Sequence, residues 1–366
     1  MVGMQDTFAM ARARKALAEA GLDQYAPLER ASSVTNEVWL TPDYAVRVNR
    51  QPNQRLRREA ALGPLLPPEV GYPEVIAYGG QMGADWLVLR RIPGSILSRC
   101  WPGMTVPERR DAIRQLSQVL RVLHQAPVPP DLQPAATAQL IGGGGFRAVD
   151  PLLAALDKAQ TLPHVDRFVL DDLRAVVLDT CGVLQPFPET HLVHGDLHFE
   201  NVLWDGVRIT ALLDFEYCRS GPADLDLDVF LRFCGYPFLH VAEDYEHLTR
   251  AEDYAAVPWW LADDYPELFA GPHQFDRMRL YSMSYDVREL LDFPPTRPPR
   301  ELSKYHPYNR LEMLLRQTSH LHSFAGTASY DLTSMDLSSP GINLGYDPDD
   351  PLQGQPGDPT PPLIRA

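Results

Sequence analysis

The amino-acid sequence predicts an α+β protein of two lobes, a small antiparallel β lobe followed by a larger, mainly helical one. Three observations carry this. Residues 1–91 run helix, strand, strand, helix, strand, strand, an order that closes into one sheet with short connections. Beyond Ile92-Pro93-Gly94 the apolar residues recur mainly at helical spacing. Within that helical half, residues 191–216 read instead as short strands joined by turns and are dense in His, Asp and Asn.

In chain order, Asp6–Ala20 is Ala-rich and amphipathic, with Gly21 to stop it. Glu37–Leu40 and Tyr44–Asn49 are strand-like and joined by the Thr41-Pro42-Asp43 turn. Leu56–Leu66 is helical in pattern and ends at Pro67-Pro68. Glu74–Tyr78 and Trp86–Arg91 are strand-like, with Gly79-Gly80 and Gly83 between them. In the second half, Pro107–His124 sets Ile113, Leu116, Leu120 and Leu123 on one helical face. Residues 126–150, rich in Pro, Ala and Gly, read as a loop insertion, and Val165–Leu184 as a helix. Asp205-Gly206, between Asn201–Trp204 and Val207–Leu213, is a hairpin signal. Pro222–Phe233, Phe275–Phe293 and Pro307–Phe324 read as further helices. The expected units are 1–91, 92–330 and a Pro-, Gly- and Asp-rich tail at 331–366 with few residues to build a core.

The chain has 366 residues, 45% of them hydrophobic, enough for a large core. A formal net charge of −15 argues against a general nucleic-acid binder, because a phosphate backbone needs a basic surface. Cys100, Cys181, Cys218 and Cys234 are far apart and form no C-x-x-C pair, which argues against a zinc or dithiol motif. The N-terminus lacks the apolar core of a signal peptide, and no apolar run approaches the roughly 18 residues of a membrane span. The expectation is a reduced, cytoplasmic protein without a membrane segment.

Phosphoryl transfer needs a carboxylate to orient the attacking hydroxyl, oxygen ligands for magnesium, and cations or backbone donors around the phosphates. His194-Gly195-Asp196-Leu197-His198-Phe199-Glu200-Asn201 and Leu213-Asp214-Phe215-Glu216 offer the first two. The five-residue step from Asp196 to Asn201 lets one tight loop aim both side chains at the same cavity. The hairpin closed by Asp205-Gly206 would return Asp214 to the side of Asn201. An amide oxygen and a carboxylate suit the hard magnesium ion.

The first segment resembles the catalytic loop H-G-D-x-H-x-x-N of the aminoglycoside phosphotransferase and choline kinase family. Its spacing also matches H-R-D-x-x-x-x-N and D-F-G of protein kinases. The resemblance implies a two-lobed protein-kinase-like fold and an ATP- or GTP-dependent kinase that phosphorylates a small-molecule hydroxyl with the help of Mg2+. It implies Asp196 as the catalytic base and Asn201 and Asp214 as the magnesium ligands, with His194, His198 and Asp226 in support. Ser32–Trp39 resembles the nucleotide-covering turn, which brings in Ser33. Tyr44–Val48 resembles the strand with the phosphate-binding cation, here Arg47, and Glu59 the helix residue that pairs with it. Trp86–Gly94 resembles the hinge, where the Arg90–Ile92 stretch places Arg91 beside the base, and Leu120–His124 resembles the L-x-x-L-H helix end. Three departures stand out. Arg47 is where many members have Lys, the turn 32–37 lacks glycine, and Glu216 replaces the glycine of D-F-G.

Taken singly, Asp196 and Asn201 read as ordinary loop residues; their joint spacing with His194, His198 and Asp214 is what points to chemistry. His320 and His322, two apart on a helix, face different ways and do not suggest a metal. Trp259-Trp260 reads as packing. A nucleotide-binding pseudokinase is the alternative reading. A metallophosphoesterase, suggested by G-D-x-H alone, lacks the later G-N-H-[DE] segment. The acidic residues Asp224, Asp226, Asp228, Glu243, Asp244, Glu246, Asp263 and Asp264 would suit an amine-bearing acceptor such as an aminoglycoside or an amino alcohol.

Overall fold

The computed structural model describes residues 2–31, 37–130, 132, 138–142, 147–188 and 190–322. Ser33 and its turn, the centre of the 126–150 insertion and the tail 331–366 therefore lie outside the described residues.

The first lobe is a sheet covered on both faces. Helix α1 (Val2–Glu19) is followed by β1 (Glu29–Ala31), β2 (Glu37–Leu40) and β3 (Tyr44–Val48), then α2 (Arg55–Leu62), β4 (Val75–Gly79) and β5 (Trp86–Arg90). The strands pair antiparallel in the order β1-β2-β3-β5-β4. Along β5 the side chains alternate, as the pleat requires. Trp86 and Val88 pack with Ala13, Ala16 and Leu17 of α1, while Leu87 and Leu89 pack with Leu56 of α2. Burial on both faces explains why β5 reads as a continuous apolar run. Two expectations need correction. β1 was not foreseen, because Glu29-Arg30-Ala31 is a short polar edge without alternation. Helix α2 stops at Leu62 rather than Leu66 and tightens into a 3-10 turn, since Pro64 has no N–H to continue it.

The chain leaves this sheet at Arg90. Strand β6 (Ser95–Ile96) already belongs to a second sheet, β6-β8-β9, with β8 (Val202–Trp204) and β9 (Ile209–Leu212). Helices α3 (Leu97–Cys100), α4 (Val106–Gln125), α5 (Asp150–Ala159) and α6 (Arg167–Thr180) follow β6. Helix α4 starts at a capping box: the backbone N–H of Thr105 donates to Glu108 Oε2 at 2.7 Å, and the Thr105 hydroxyl accepts from the Glu108 backbone. Strands β7 (His191–Val193) and β10 (Arg219–Gly221) pair antiparallel around the β8–β9 hairpin. Helices α7 (Asp224–Gly235), α8 (Val257–Asp264), α9 (Gln274–Asp292) and α10 (Pro307–Leu315) complete the lobe.

Three helical expectations also change. Helices α5 and α8 were missed, the first hidden behind a Gly-rich run and the second by a Trp-Trp pair that reads as packing rather than period. Both tryptophans are in fact buried in the large core. Helix α10 ends at Leu315, not Phe324, because Gln317 takes a left-handed conformation (φ 59°) that no helix continues.

Helices α7, α9 and α10 are held by a buried charge network. Asp286 accepts from Arg232 and from Arg310, each at 2.8 Å, and Glu289 accepts from Arg310 at 2.7 Å. The planar guanidinium forks reach both carboxylates directly. His306 caps α10 by accepting from the Tyr308 backbone at 3.2 Å, which requires a neutral ring. Burial, and then the Arg310 charge, lower its pKa to about 4.

That lowered value predicts an acid-sensitive stability. The unfolded chain binds the His306 proton near pH 6.5 and the folded chain only near 4. The stabilisation is therefore complete above pH 6.5 and is lost as pH falls through 4, about 3 kcal/mol in all. Urea unfolding between pH 4 and 7 should show a shallower slope for His306→Asn, which keeps the cap without the titration. An identical slope would refute the assignment.

Candidate active site

A cleft of about 640 Å3 opens between the five-stranded sheet and the β8–β9 hairpin. Arg47 of β3 and Glu59 of α2 line it from one side, and Asp196, Asn201 and Asp214 from the other.

The loop after β7 is fixed by one buried carboxylate. Asp226, in the first turn of α7, accepts from the backbone of His194 at 2.8 Å and of Gly195 at 2.7 Å. His124 Nε2, at the end of α4, lies 3.0 Å from the same carboxylate. Gly195 sits at φ 83°, and a Cβ there would collide with the Tyr217 carbonyl, so only glycine fits. This turn delivers Asp196 into the cleft. The His194 ring reaches across to the Leu213 carbonyl at 2.8 Å and joins the loop to the end of β9.

The hairpin does the rest. Val202 pairs with Leu212, and the Leu213 backbone donates to the Asn201 carbonyl at 2.8 Å. Asp205 closes the turn by accepting from the backbones of Val207 and Arg208. Asp214 therefore emerges beside Asn201, in a left-handed conformation (φ 61°) that Asp tolerates better than most residues. The Asn201 amide donates to the Asp196 carbonyl at 2.9 Å, which leaves its Oδ1 to face another partner.

Charge is tightly distributed here. Arg47 donates to Glu59 at 2.5 Å and to Asp214 at 3.1 Å. Burial would lower the Arg47 pKa, but Asp214, Glu59 and Glu216 outweigh it and raise it well above the ordinary value. Glu216 pairs with Arg55 at 3.0 Å, and its Oε2 is buried without a partner. Burial, with Asp214 beside it, pushes the Glu216 carboxyl well above the usual range. Asp196 and His198 lie 3.4 Å apart. Burial works against both charges, yet the attraction prevails: Asp196 falls to about 2 and His198 rises. Three carboxylates, Glu59, Asp214 and Glu216, thus share two guanidiniums, Arg47 and Arg55. The Asn201 amide oxygen, the Asp214 carboxylate and the orphaned Glu216 oxygen fit a hard divalent cation such as Mg2+. Among the described residues, no three His, Cys, Asp or Glu side chains form a metal cluster by themselves.

The sequence profile of the phosphotransferase enzyme family matches residues 27–260. The chain belongs to the phosphotransferase enzyme family. No curated protein matches it in sequence. Among solved structures, ADP-bound aminoglycoside phosphotransferase APH(2'')-Ib aligns with a TM-score of 0.55 at 15% identity, over 80% of this chain and 94% of that one. The GDP complex of aminoglycoside 2'-phosphotransferase-IIIa aligns with a TM-score of 0.54 at 18% identity, over 80% and 92%. A choline/ethanolamine kinase family protein from Mesorhizobium loti aligns with a TM-score of 0.51 at 19% identity, over 82% and 92%. The fold is protein-kinase-like, and family membership makes the protein a phosphotransferase.

In this phosphotransferase the cleft gathers most of the residues singled out from sequence: Arg47, Glu59, Asp196, His198, Asn201 and Asp214 all line it. His194 and Asp226 stand behind the loop, fully buried. Arg91 lines the cleft too, but its guanidinium donates to the Thr41 carbonyl at 2.8 Å and its backbone to the Asp43 carbonyl at 2.8 Å. The acidic run at 224–228 does not face an acceptor. Asp224 is paired with Arg277, Asp226 holds the loop, and Asp228 accepts from Gln139, all buried. Asp263 and Asp264 pair with Arg110. Sequence reasoning missed Arg55, one turn before Glu59 on α2, and also His240, Tyr285 and Arg288, which come from elements with no motif of their own. It noted His124 only as a helix end, although that histidine touches Asp226.

The clamp yields a stability prediction. Asp226→Ala strands two buried N–H groups and an imidazole, at a cost of about 3–5 kcal/mol. Chemical denaturation of wild type and variant measures it, and a loss below about 0.5 kcal/mol, the usual effect of a surface change, would contradict the clamp.

Proposed function

We propose that the protein is an ATP- or GTP-dependent kinase that transfers the γ-phosphate to a hydroxyl of a small molecule. The convergence of Asp196, Asn201 and Asp214 on one cleft, opposite the Arg47–Glu59 pair, carries this reading.

In the proposed reaction the acceptor oxygen forms a bond to the γ-phosphorus while the bond to the β–γ bridging oxygen breaks. The nucleoside diphosphate leaves with that electron pair, and the hydroxyl proton passes to Asp196. A carboxylate with a pKa of about 2 is too weak to remove an alcohol proton in advance. Its role is to orient the hydroxyl and to accept the proton late, as a loose, metaphosphate-like transition state permits. His198 keeps Asp196 ionised and fixed. Arg47 offers its charge and its remaining N–H donors to the α- and β-phosphates, and Glu59 holds it in place. Asn201 Oδ1 and the Asp214 carboxylate would hold Mg2+, which when bound neutralises the charge of the β- and γ-phosphates. The base would rest against the Arg90–Ile92 hinge, with Arg91 bracing that strand on the Thr41 turn rather than touching the nucleotide.

The division into 1–91, 92–330 and 331–366 and a cytoplasmic location belong to the same proposal. Four unpaired cysteines support a reducing compartment, and among the described residues no helix is long and apolar enough to cross a membrane. Nothing in the site favours a non-catalytic role, since all three reacting-centre residues reach the cleft. The amine-bearing acceptor loses its main support with the burial of Asp224, Asp226 and Asp228.

Nucleotide turnover should be followed with a panel of aminoglycosides, amino alcohols, sugars and hydroxy acids. Asp196→Asn should lower transfer by about 10²- to 10⁴-fold; equal rates in both proteins would remove Asp196 from the chemistry. Asp214→Ala should abolish magnesium-dependent turnover while circular dichroism stays native. An unchanged magnesium dependence would rule out Asp214 as a ligand.

A further inference from the structure

The end of the cleft beyond Asp196 has a charge pattern that selects an acceptor. Five carboxylates line the cleft: Glu59, Asp196, Glu200, Asp214 and Glu216. Each already faces a cation of the protein. Glu59 and Asp214 share Arg47, Glu216 holds Arg55, Glu200 holds Arg99, and Asp196 holds His198. A polyamine would have to compete with these cations for the carboxylates, and it would have to desolvate its charge beside arginines.

Arg288 of α9 has the opposite character. It lines the same cavity with a side chain only 16% exposed. Its Nε donates to the Ala138 carbonyl at 2.9 Å; NH1 meets the exposed Asp292 at 3.4 Å and NH2 meets Glu289 at 3.3 Å. Glu289 is already committed to Arg310 at 2.7 Å. Three of the five guanidinium N–H donors are thus engaged among the described residues, two of them by long bonds. Tyr285, one turn earlier, packs between Arg288, at 4.8 Å, and Arg232, at 4.2 Å from its ring centre. That sandwich fixes the phenol. Tyr217 lines the cleft from the other side. Neither hydroxyl is hydrogen-bonded to another described residue. Burial is the largest cause of the raised pKa of both phenols, but the Asp196 charge contributes to each, so both lie within electrostatic reach of Asp196.

We propose that Arg288, with the hydroxyls of Tyr217 and Tyr285, forms an anion subsite that binds a carboxylate on the acceptor, so that the phosphorylated molecule is a hydroxy acid rather than a polyamine. The inference rests on the kinase reading above and names the acceptor class for the same cleft. A planar carboxylate matches the fork of a guanidinium, and two phenol donors would complete its hydrogen bonds.

The test is steady-state transfer by the full chain with ATP and magnesium to matched acceptors: glycerate and glycerol, gluconate and sorbitol, homoserine and homoserine amide, with kanamycin and choline as the cationic arm. The acid of at least one pair should be preferred by roughly 10- to 100-fold in kcat/KM, the range of a hydrogen bond to a charged group. Arg288→Met should erase the preference by raising KM for the acid without changing KM for ATP, and Arg288→Lys should restore part of it. Tyr285→Phe, which keeps the ring and its packing, should also raise KM for the acid; it preserves the test if Arg288→Met fails to fold. Transfer confined to kanamycin or choline, or equal transfer to both members of every pair, would overturn the subsite and leave the kinase reading intact. A rise in KM for ATP in Arg288→Lys would assign the arginine to the nucleotide and overturn it as well. Absence of Asp196-dependent transfer to every acceptor would overturn the kinase reading and the subsite together.

Discussion

The geometry of the cleft depends on the carboxylate of Asp226. It accepts from two consecutive backbone amides, at His194 and Gly195, and meets His124 from a third element. A loop whose reactive side chain must point outward cannot satisfy its inner amides through regular pairing, and a buried N–H without a partner is costly. One acidic side chain meets that need and also ties together α4, α7 and the loop after β7. Gly195 is the matching constraint, since the turn passes too close to the Tyr217 carbonyl for any Cβ. The turn that carries Asp196 is therefore aimed by backbone hydrogen bonds, and the carboxylate itself meets His198 at 3.4 Å while lining the cleft.

Across the cleft, order comes from charge. Arg47 is the centre of a cluster in which acids outnumber bases, and Asp214 is held in a left-handed backbone conformation beside it. Exchanging lysine for arginine at this position keeps the charge but adds a fork, and the fork is used: one arm meets Glu59 and the other Asp214. The arginine thus links the two lobes before any nucleotide arrives. Glu216 strengthens the link by taking Arg55 from α2. A glycine there could make no such pair, so the departure from D-F-G exchanges backbone freedom for a cross-lobe ion pair.

Helix α9 serves two purposes. Asp286 and Glu289 lie in the arginine network that binds α7 and α10, while Tyr285 and Arg288 turn toward the cleft. Because the structural face is rigid, the cleft-facing pair is positioned without help from a ligand. The balance of paired acids against a partly engaged arginine then bears on the acceptor, which the catalytic loop itself does not specify.

The sequence by itself determined that Asp196, Asn201 and Asp214 converge, because their spacing is local: they lie within one strand–loop–hairpin unit, where short-range geometry dictates who meets whom. It also determined the two-lobed architecture, through the change of period at Ile92-Pro93-Gly94, and the pairing of Arg47 with Glu59, through resemblance. Tertiary structure alone decided what long-range packing controls. The acidic run at 224–228 reads as surface but is buried, since each carboxylate finds a distant donor: Arg277, the loop amides or Gln139. Helices α5 and α8 carried too weak a pattern to be seen beside a Gly-rich run and a tryptophan pair. His240 and the Tyr285–Arg288 pair of α9 reach the cleft from distant places in the chain, and Arg55 meets the cleft residue Glu216 from α2. No spacing rule relates such residues, because what brings them together is the packing of helices around the core and not the period of any one element.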